Sequence, residues 1–474
     1  MKVIVFGVGN YYHEQKEKLN TFSNIEILAY TDNNTALWGE IIDGRKVIPP
    51  DSIQCFPYDQ ILIMSTYGFE IYHQLIGFGV DKDDIITWEK VCAREEQGRK
   101  DLYSAKQTYR DGTEKILFIS TDLDYNGGSF AVVYAAMSLV KRGNSSVVLA
   151  APSGNKDFIL EIIESGISVV ICHALPYLFD TEKKWVQQFD LVIVNVFQMI
   201  QCAYEVSKIR PTLWWIHEPT IWYKPIIERY PDCIDMNKLS NINIYAVSRV
   251  AQQIFNQFFI DRITKTLVVG IPDVRTNKIE KDKQTNKLVF AIIGSVEPLK
   301  AQNIFIEAAS KISKIAQAEF WIIGKLSDNA YCCQINERAA ELSAVKLLGK
   351  LTKKQIYDAF SVIDVVVCAS QEETLSMTII EAMMFGKVCI TTETTGISDY
   401  IDHNVNGFII PVNDSDALAA QMEWITLNID RASELGLAAR KTYERYFTME
   451  RLGKNLETAI SETKRKWIKT CVDY

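Results

Sequence analysis

The chain has 474 residues, 48% of them hydrophobic and 23% charged, and carries a net charge of −8. That length supports two or three domains with cores of their own, and the acidic balance excludes generic nucleic-acid binding, which needs Lys and Arg to neutralise phosphates. Apolar runs fall well short of the roughly 20 residues of a membrane-spanning helix, and the ten cysteines lack metal-ligand spacing. Cys172, Cys368 and Cys389 sit in apolar runs, as reduced core cysteines of a cytoplasmic protein do.

The first apolar run, Val3 to Phe6, goes straight into Gly7-Val8-Gly9-Asn10, so it reads as a strand rather than a signal peptide. Further strands are expected at 25–30, 61–65 and 85–88, with Asp32 just after the second. Gly-x-Gly followed by this acid matches part of the dinucleotide fingerprint, but His13 and Glu14 stand where its third glycine would be. Residues 1–92 are therefore expected to form a small Rossmann-like accessory domain. It resembles the N-terminal domain of bacterial sugar-modifying acyltransferases, which implies a grip on a nucleotide sugar. The alternative is a module that docks a partner or a second copy and keeps only the fold.

Residues 93–114 are charged and lack strand character, so they read as a linker. From 115 to 275, strands at 116–120, 146–150, 169–172, 191–196, 212–216 and 242–247 alternate with helical patterns. A second such series occupies 276–448, with strands at 288–293, 320–323, 345–348, 365–369, 388–391 and 408–411. The α/β reading is thus two facing Rossmann-like domains, preceded by the smaller one, with a ligand in the cleft between the large pair. A helix over 449–474 closes the chain and is expected to pack back on the 115–275 domain. Its basic end, Lys464, Arg465, Lys466 and Lys469, suits a helix C-terminus, with a peripheral membrane contact as the other reading.

The chemistry concentrates between Val365 and Ile390. An apolar strand leads into a polar loop with Glu372 and Glu373, then a helical pattern that ends at Gly386. Free N–H groups at that helix start suit a phosphate, whereas Glu373 and Glu381 suit sugar or ribose hydroxyls. Lys300 follows the first strand of the same domain, Gly127-Gly128 opens a helix in the preceding one, and His217 ends the strand that contains Trp214 and Trp215.

These four segments, over about residues 115–470, resemble the retaining GT-B glycosyltransferases of family 4. The most specific match is Glu-x7-Glu, here Glu373 and Glu381, followed by Ala382 and Gly386. The resemblance implies Glu373 at the donor sugar, Glu381 at the nucleotide ribose, and Lys300 at the departing diphosphate. It implies backbone contacts from Gly127, Gly128 and the 374–377 loop, and His217 near the reacting carbon. The family's usual Gly-Phe-Gly is replaced by Thr374-Leu375-Ser376, ahead of Met377, and its Arg and Gly beside the lysine by Ser295 and Ala301. Ser376 is expected to add a hydroxyl contact that narrows donor choice. Ser248 fits either the cleft border or a helix N-cap, and Trp214, Trp215, Trp222 and Tyr223 either a sugar platform or a core.

The implied reaction is transfer of a sugar, with retention, from a nucleotide-diphosphate sugar of the uridine type. A glycan, a lipid-linked or a protein acceptor would receive it, in bacterial surface polysaccharide or glycoprotein synthesis at the inner face of the membrane. Neither cofactor nor metal is expected, Asp122-Leu123-Asp124 being read as a chance echo of a metal motif from another architecture. The rival readings are a catalytically silent scaffold and a nucleotide-sugar epimerase of the same fold.

Overall fold

The computed structural model describes residues 1–106, 113–229, 239–259, 262–263, 265–275, 287–313 and 317–472. The expected boundary at 275/276, the 107–112 part of the linker and the last two residues of the final helix lie on or beyond the edge of the described residues.

Runs of Val, Ile and Phe flanked by polar turns build three sheets among the described residues. In the first, the spatial order is Ile41–Ile42, Arg45–Ile48, Glu26–Thr31, Lys2–Phe6, Gln60–Ile63 and Ile85–Thr87. The outermost pair is antiparallel, a short hairpin absent from the expected strands, and the rest is parallel.

The second sheet runs Ile242–Ala246, Thr212–Ile216, Leu191–Asn195, Glu114–Ile119, Ser145–Ala151, Ser168–Ile171 and Asp101–Tyr103. Its last member corrects the linker reading. Residues 101–103 form an antiparallel edge strand against Ser168–Ile171, held by backbone pairing that exposed side chains do not advertise. The third sheet is wholly parallel: Val345–Gly349, Ala318–Ile323, Leu288–Ile293, Val365–Cys368, Val388–Thr392 and Phe408–Ile410.

The chain then returns to the second sheet. Tyr443, on the helix Ile429–Tyr446, donates to the carbonyl of Ile271 at 3.0 Å. On the helix Met449–Val472, Glu457 takes both arms of the Arg142 guanidinium at 2.7 Å each. Glu462 accepts from Lys265 at 2.7 Å and from Tyr245. Of the basic end, Lys464 pairs with Glu114 and Lys466 donates to the carbonyl of Ile242 at 2.6 Å. Burial and the nearby Arg262 push the Lys466 ammonium down to about 8. Lys464 and Lys466 thus hold this helix to the second sheet.

Candidate active site

Each arm of the cleft is a strand–loop–helix unit, so its side chains sit at the carboxyl ends of parallel strands. On one side the helix Gly127–Arg142 starts under Asn126, whose side-chain Oδ1 accepts from Ser129 N–H at 2.9 Å. A Cβ at Gly127 would meet nothing within 4 Å, so that face is open for a ligand to approach the backbone. On the other side the helix Met377–Phe385 starts at Ser376 without a side-chain cap and ends at Gly386, φ +70°.

Between them lies a cavity of about 170 Å³ walled by Gly127, Gly128, His217, Lys300, Glu373, Thr374, Leu375 and Met377, among others. Segments up to 250 residues apart in sequence (Gly127 to Met377) thus meet at one place. The Lys300 ammonium lies 3.1 Å from Glu373 Oε1. Glu373 Oε2 accepts from the Ser370 hydroxyl at 2.9 Å and the Cys368 thiol at 3.1 Å. Burial works against charge on Glu373, yet Lys300 and those two donors prevail and hold its carboxyl below the ordinary range. For Lys300, burial is likewise overridden by Glu373, and the ammonium is held above its usual value. The site thus keeps a cation and an anion, 24% and 16% exposed, both charged.

His217 lines the same cavity as Lys300. Burial pushes its imidazole down to about 3, so it is neutral at ordinary pH, and its Nε2 has no hydrogen-bond partner. A buried nitrogen that lines a cavity and lacks a partner is a place for a ligand group. The two halves are latched beside it. Thr374 donates to the His217 carbonyl at 2.5 Å, and Glu372 accepts from Thr220 N–H at 2.6 Å and Thr220 Oγ1 at 2.7 Å. Glu372 was named in the sequence only as a loop residue. Its partner is 152 positions away, which no local pattern encodes.

Three expected donor contacts stand elsewhere. Glu381 is buried off the cavity wall and pairs with Lys353. Burial raises its carboxyl despite that lysine. Ser295 Oγ donates to Glu297 Oε1 at 3.1 Å. The Ser376 hydroxyl shares a 3.1 Å bond with Thr378 and is nearly inaccessible, so the expected hydroxyl contact with the donor is not available in this conformation.

The remaining alternatives resolve toward structure. Ser248 accepts from Ala251 N–H at 3.1 Å as an N-cap, and Trp214, Trp215 and Tyr223 are core, while Trp222 is exposed. Asp122 is engaged by Asn126 at 2.8 Å and Ser129 at 2.9 Å.

Ala301 stands at φ +53°, ψ +44°, a left-handed conformation that costs a residue with a Cβ roughly 1–2 kcal/mol. Ala301→Gly is therefore expected to raise stability by about 1 kcal/mol, read as a higher denaturation midpoint.

Glu218 is buried next to His217, its Oε1 is unpartnered, and burial pushes its carboxyl up to about 7 from 4.5. A carboxyl raised in the folded state favours folding at low pH, and that advantage is lost as pH rises from 4.5 toward 7. Glu218→Gln is expected to match the parent near pH 4.5 and exceed it at pH 8 by up to about 3 kcal/mol, as urea midpoints at the two pH values would show.

Residues 273–442 match the family Glycosyl transferases group 1, and residues 1–86 match the family C2185-like, N-terminal. Among curated proteins, the poly(ribitol-phosphate) alpha-N-acetylglucosaminyltransferase of Staphylococcus aureus is 25% identical, over 70% of this chain and 62% of its own length. The N-acetyl-alpha-D-glucosaminyl L-malate synthase of Bacillus anthracis is 23% identical, over 41% of this chain and 50% of its own. The O-antigen chain mannosyltransferase C of Escherichia coli is 25% identical, over 51% and 65%. The chain thus spans 50–65% of the length of these relatives. In structure, a glycosyltransferase from Rickettsia africae superposes with a TM-score of 0.63 at 18% identity, over 74% of this chain and 99% of that one. The HepE protein of Anabaena, solved with UDP-glucose, gives 0.63 at 18% identity, over 73% and 99%. The second and third sheets are accordingly the two halves of a GT-B fold, with the first sheet as a separate N-terminal unit.

Proposed function

We propose that the chain is a glycosyltransferase that moves a sugar, with retention of configuration, from a uridine diphosphate sugar to an acceptor in bacterial surface glycan synthesis. The observation that carries this is the meeting of the charged Lys300–Glu373 pair with the unpartnered His217 Nε2 on one cavity, between two helix N-termini. The group 1 match over that half, the glycan-building relatives and the UDP-glucose bound in the Anabaena protein support the choice of donor.

In this mechanism the diphosphate lies between the amides of the 374–377 loop and those of Gly127–Gly128, with Lys300 against its developing charge. Glu373 takes hydroxyls of the sugar, and the neutral His217 offers a hydrogen bond near the anomeric carbon. The bond from that carbon to the diphosphate breaks while the acceptor oxygen bonds to it from the same face. The acceptor's proton passes to the departing phosphate oxygen, so no separate base or metal is used. Cavities that hold small molecules typically span about 300–1,000 Å³. At about 170 Å³ the cleft cavity is smaller than that range, and we infer that it widens as a donor enters.

The experiment is nucleotide release from a panel of UDP-, GDP- and ADP-sugars, with and without glycan acceptors, followed by the anomeric configuration of the product. Release that depends on acceptor supports transfer. Release without any acceptor points to the epimerase reading, and no binding of any donor points to the scaffold.

A further inference from the structure

The first sheet carries a second and larger cavity, of about 670 Å³, at the carboxyl ends of Lys2–Phe6, Glu26–Thr31 and Gln60–Ile63. Lys2–Phe6 lies between the other two strands, so successive crossovers leave it in opposite directions. Open parallel sheets place ligands at that switch point. The close approach there is built in. Gly7 is at φ +99°, and a Cβ on it would stand 2.7 Å from the Met64 carbonyl oxygen, so only glycine closes the cavity floor.

The walls combine three kinds of group. The helices Asn10–Leu19 and Gly68–Gly77 both begin at the cavity, under Gly9 and Tyr67, and neither has a side-chain cap on its N–H groups. Asp32, Glu14 and Glu70 supply carboxylates, and Asp32 is fixed by Val8 N–H at 2.9 Å and Asn34 N–H at 2.8 Å. Tyr11 and Tyr67 supply rings. Tyr11 is anchored by its hydroxyl to Glu89 at 2.9 Å, and Tyr67 is 68% exposed. Among the described residues that line the cavity there is no Lys, Arg or His.

We infer that this cavity binds a carbohydrate that bears no phosphate. A sugar hydroxyl both donates and accepts, so it matches backbone N–H groups set beside carboxylates, while its C–H face suits an exposed tyrosine ring. A diphosphate would enter a cavity with three carboxylates on its wall and no cation among its described lining residues to offset them. In this respect the cavity departs from the nucleotide-sugar grip that the sequence resemblance implies for residues 1–92. The cleft has the opposite chemistry, with Lys300 on its wall, so the two sites are expected to sort ligands by charge. The inference stands on this cavity and holds whether or not the cleft transfers a sugar.

The test is saturation-transfer NMR on the full chain with glucose, N-acetylglucosamine and glucosamine as separate probes, and with UDP as the phosphate-bearing arm. At least one sugar should receive saturation, keep it in Lys300→Ala, and fall to background in the Tyr67→Ala/Glu70→Gln double variant. Both of those positions are exposed, so the fold should survive, and an unchanged UDP signal in the double variant checks this. A signal from glucosamine alone would assign the carboxylates to an amine, and one from all three probes would assign them to hydroxyls. The inference is overturned if no sugar responds, if the sugar signal ignores the double variant, or if UDP loses its signal there instead.

Discussion

Lys300→Ala is expected to lower nucleotide release by about a hundred- to a thousand-fold, the effect of deleting one preorganised group that faces developing negative charge. The change has two consequences that must be separated. It removes the cation from the cavity, and it leaves Glu373 buried with only the Ser370 hydroxyl and the Cys368 thiol as partners. An uncompensated buried carboxylate takes up a proton and weakens the fold, so part of any loss could be structural. The double variant Lys300→Ala/Glu373→Gln decides the matter. It removes both charges of the 3.1 Å pair and should recover the thermal midpoint lost in the single variant. Turnover in the double variant should stay well below that of Glu373→Gln alone if the lysine acts on the diphosphate. Recovery of turnover together with stability would mean that Lys300 serves only to neutralise Glu373. Lys300→Arg keeps the charge but exchanges a compact ammonium for a planar fork, so an intermediate rate is expected.

How much of this was legible in the sequence differs from element to element. The parallel strands were, because buried strands are near-continuous apolar runs such as Val365–Cys368, and the polar stretches between them have helical spacing. The edge strand Asp101–Tyr103 was not. Its pairing to Val169–Ile171 is made by backbone groups, and its side chains are mostly exposed. The hairpin at 41–48 was missed for another reason, its strands being only two and four residues long.

In the cleft, the residues named from strand-end position do line one cavity: Gly127, Gly128, His217, Lys300 and Glu373. Strand ends of a parallel sheet converge, and so sequence order predicts spatial company there. Ser295, Ser376 and Glu381 share those loops or helices but not the wall, because which way a side chain turns depends on a neighbour. For Ser376 that neighbour is Thr378, for Ser295 it is Glu297, and for Glu381 it is Lys353. Ala301 is the reverse case. The motif's missing glycine was visible, and the left-handed backbone at that position gives the departure its physical meaning.

The Lys353–Glu381 pair leads to the second large effect. Lys353 lies on the helix Lys353–Ala359, its ammonium 4.8 Å from the ring centre of Phe130 and 5.0 Å from that of Tyr357. Phe130 belongs to the opposite half, so this one cation neutralises Glu381 and also reaches across the cleft. Its chain is 25% exposed, whereas that of Glu381 is 3% exposed, so the two partners are not equivalent.

Lys353→Ala leaves a buried carboxylate with no counter-ion and is expected to cost about 3–5 kcal/mol. That corresponds to a fall of roughly 10 °C in the midpoint of the transition that melts this half. Glu381→Gln should cost far less, because the stranded lysine can still reach water and keep its aromatic contacts. The sign of the pH dependence follows from burial, which already raises the Glu381 carboxyl and which Lys353 opposes. Without Lys353 the carboxyl rises further. The folded variant then holds its proton where the unfolded chain releases it, and the penalty grows as pH climbs above the ordinary carboxylate range. Melting curves of Lys353→Ala should therefore lie close to the parent at pH 4.5 and well below it at pH 8, with Glu381→Gln much less dependent on pH. A Lys353→Ala deficit of equal size at both pH values would show that the lost contacts are those to Phe130 and Tyr357, not the charge on Glu381.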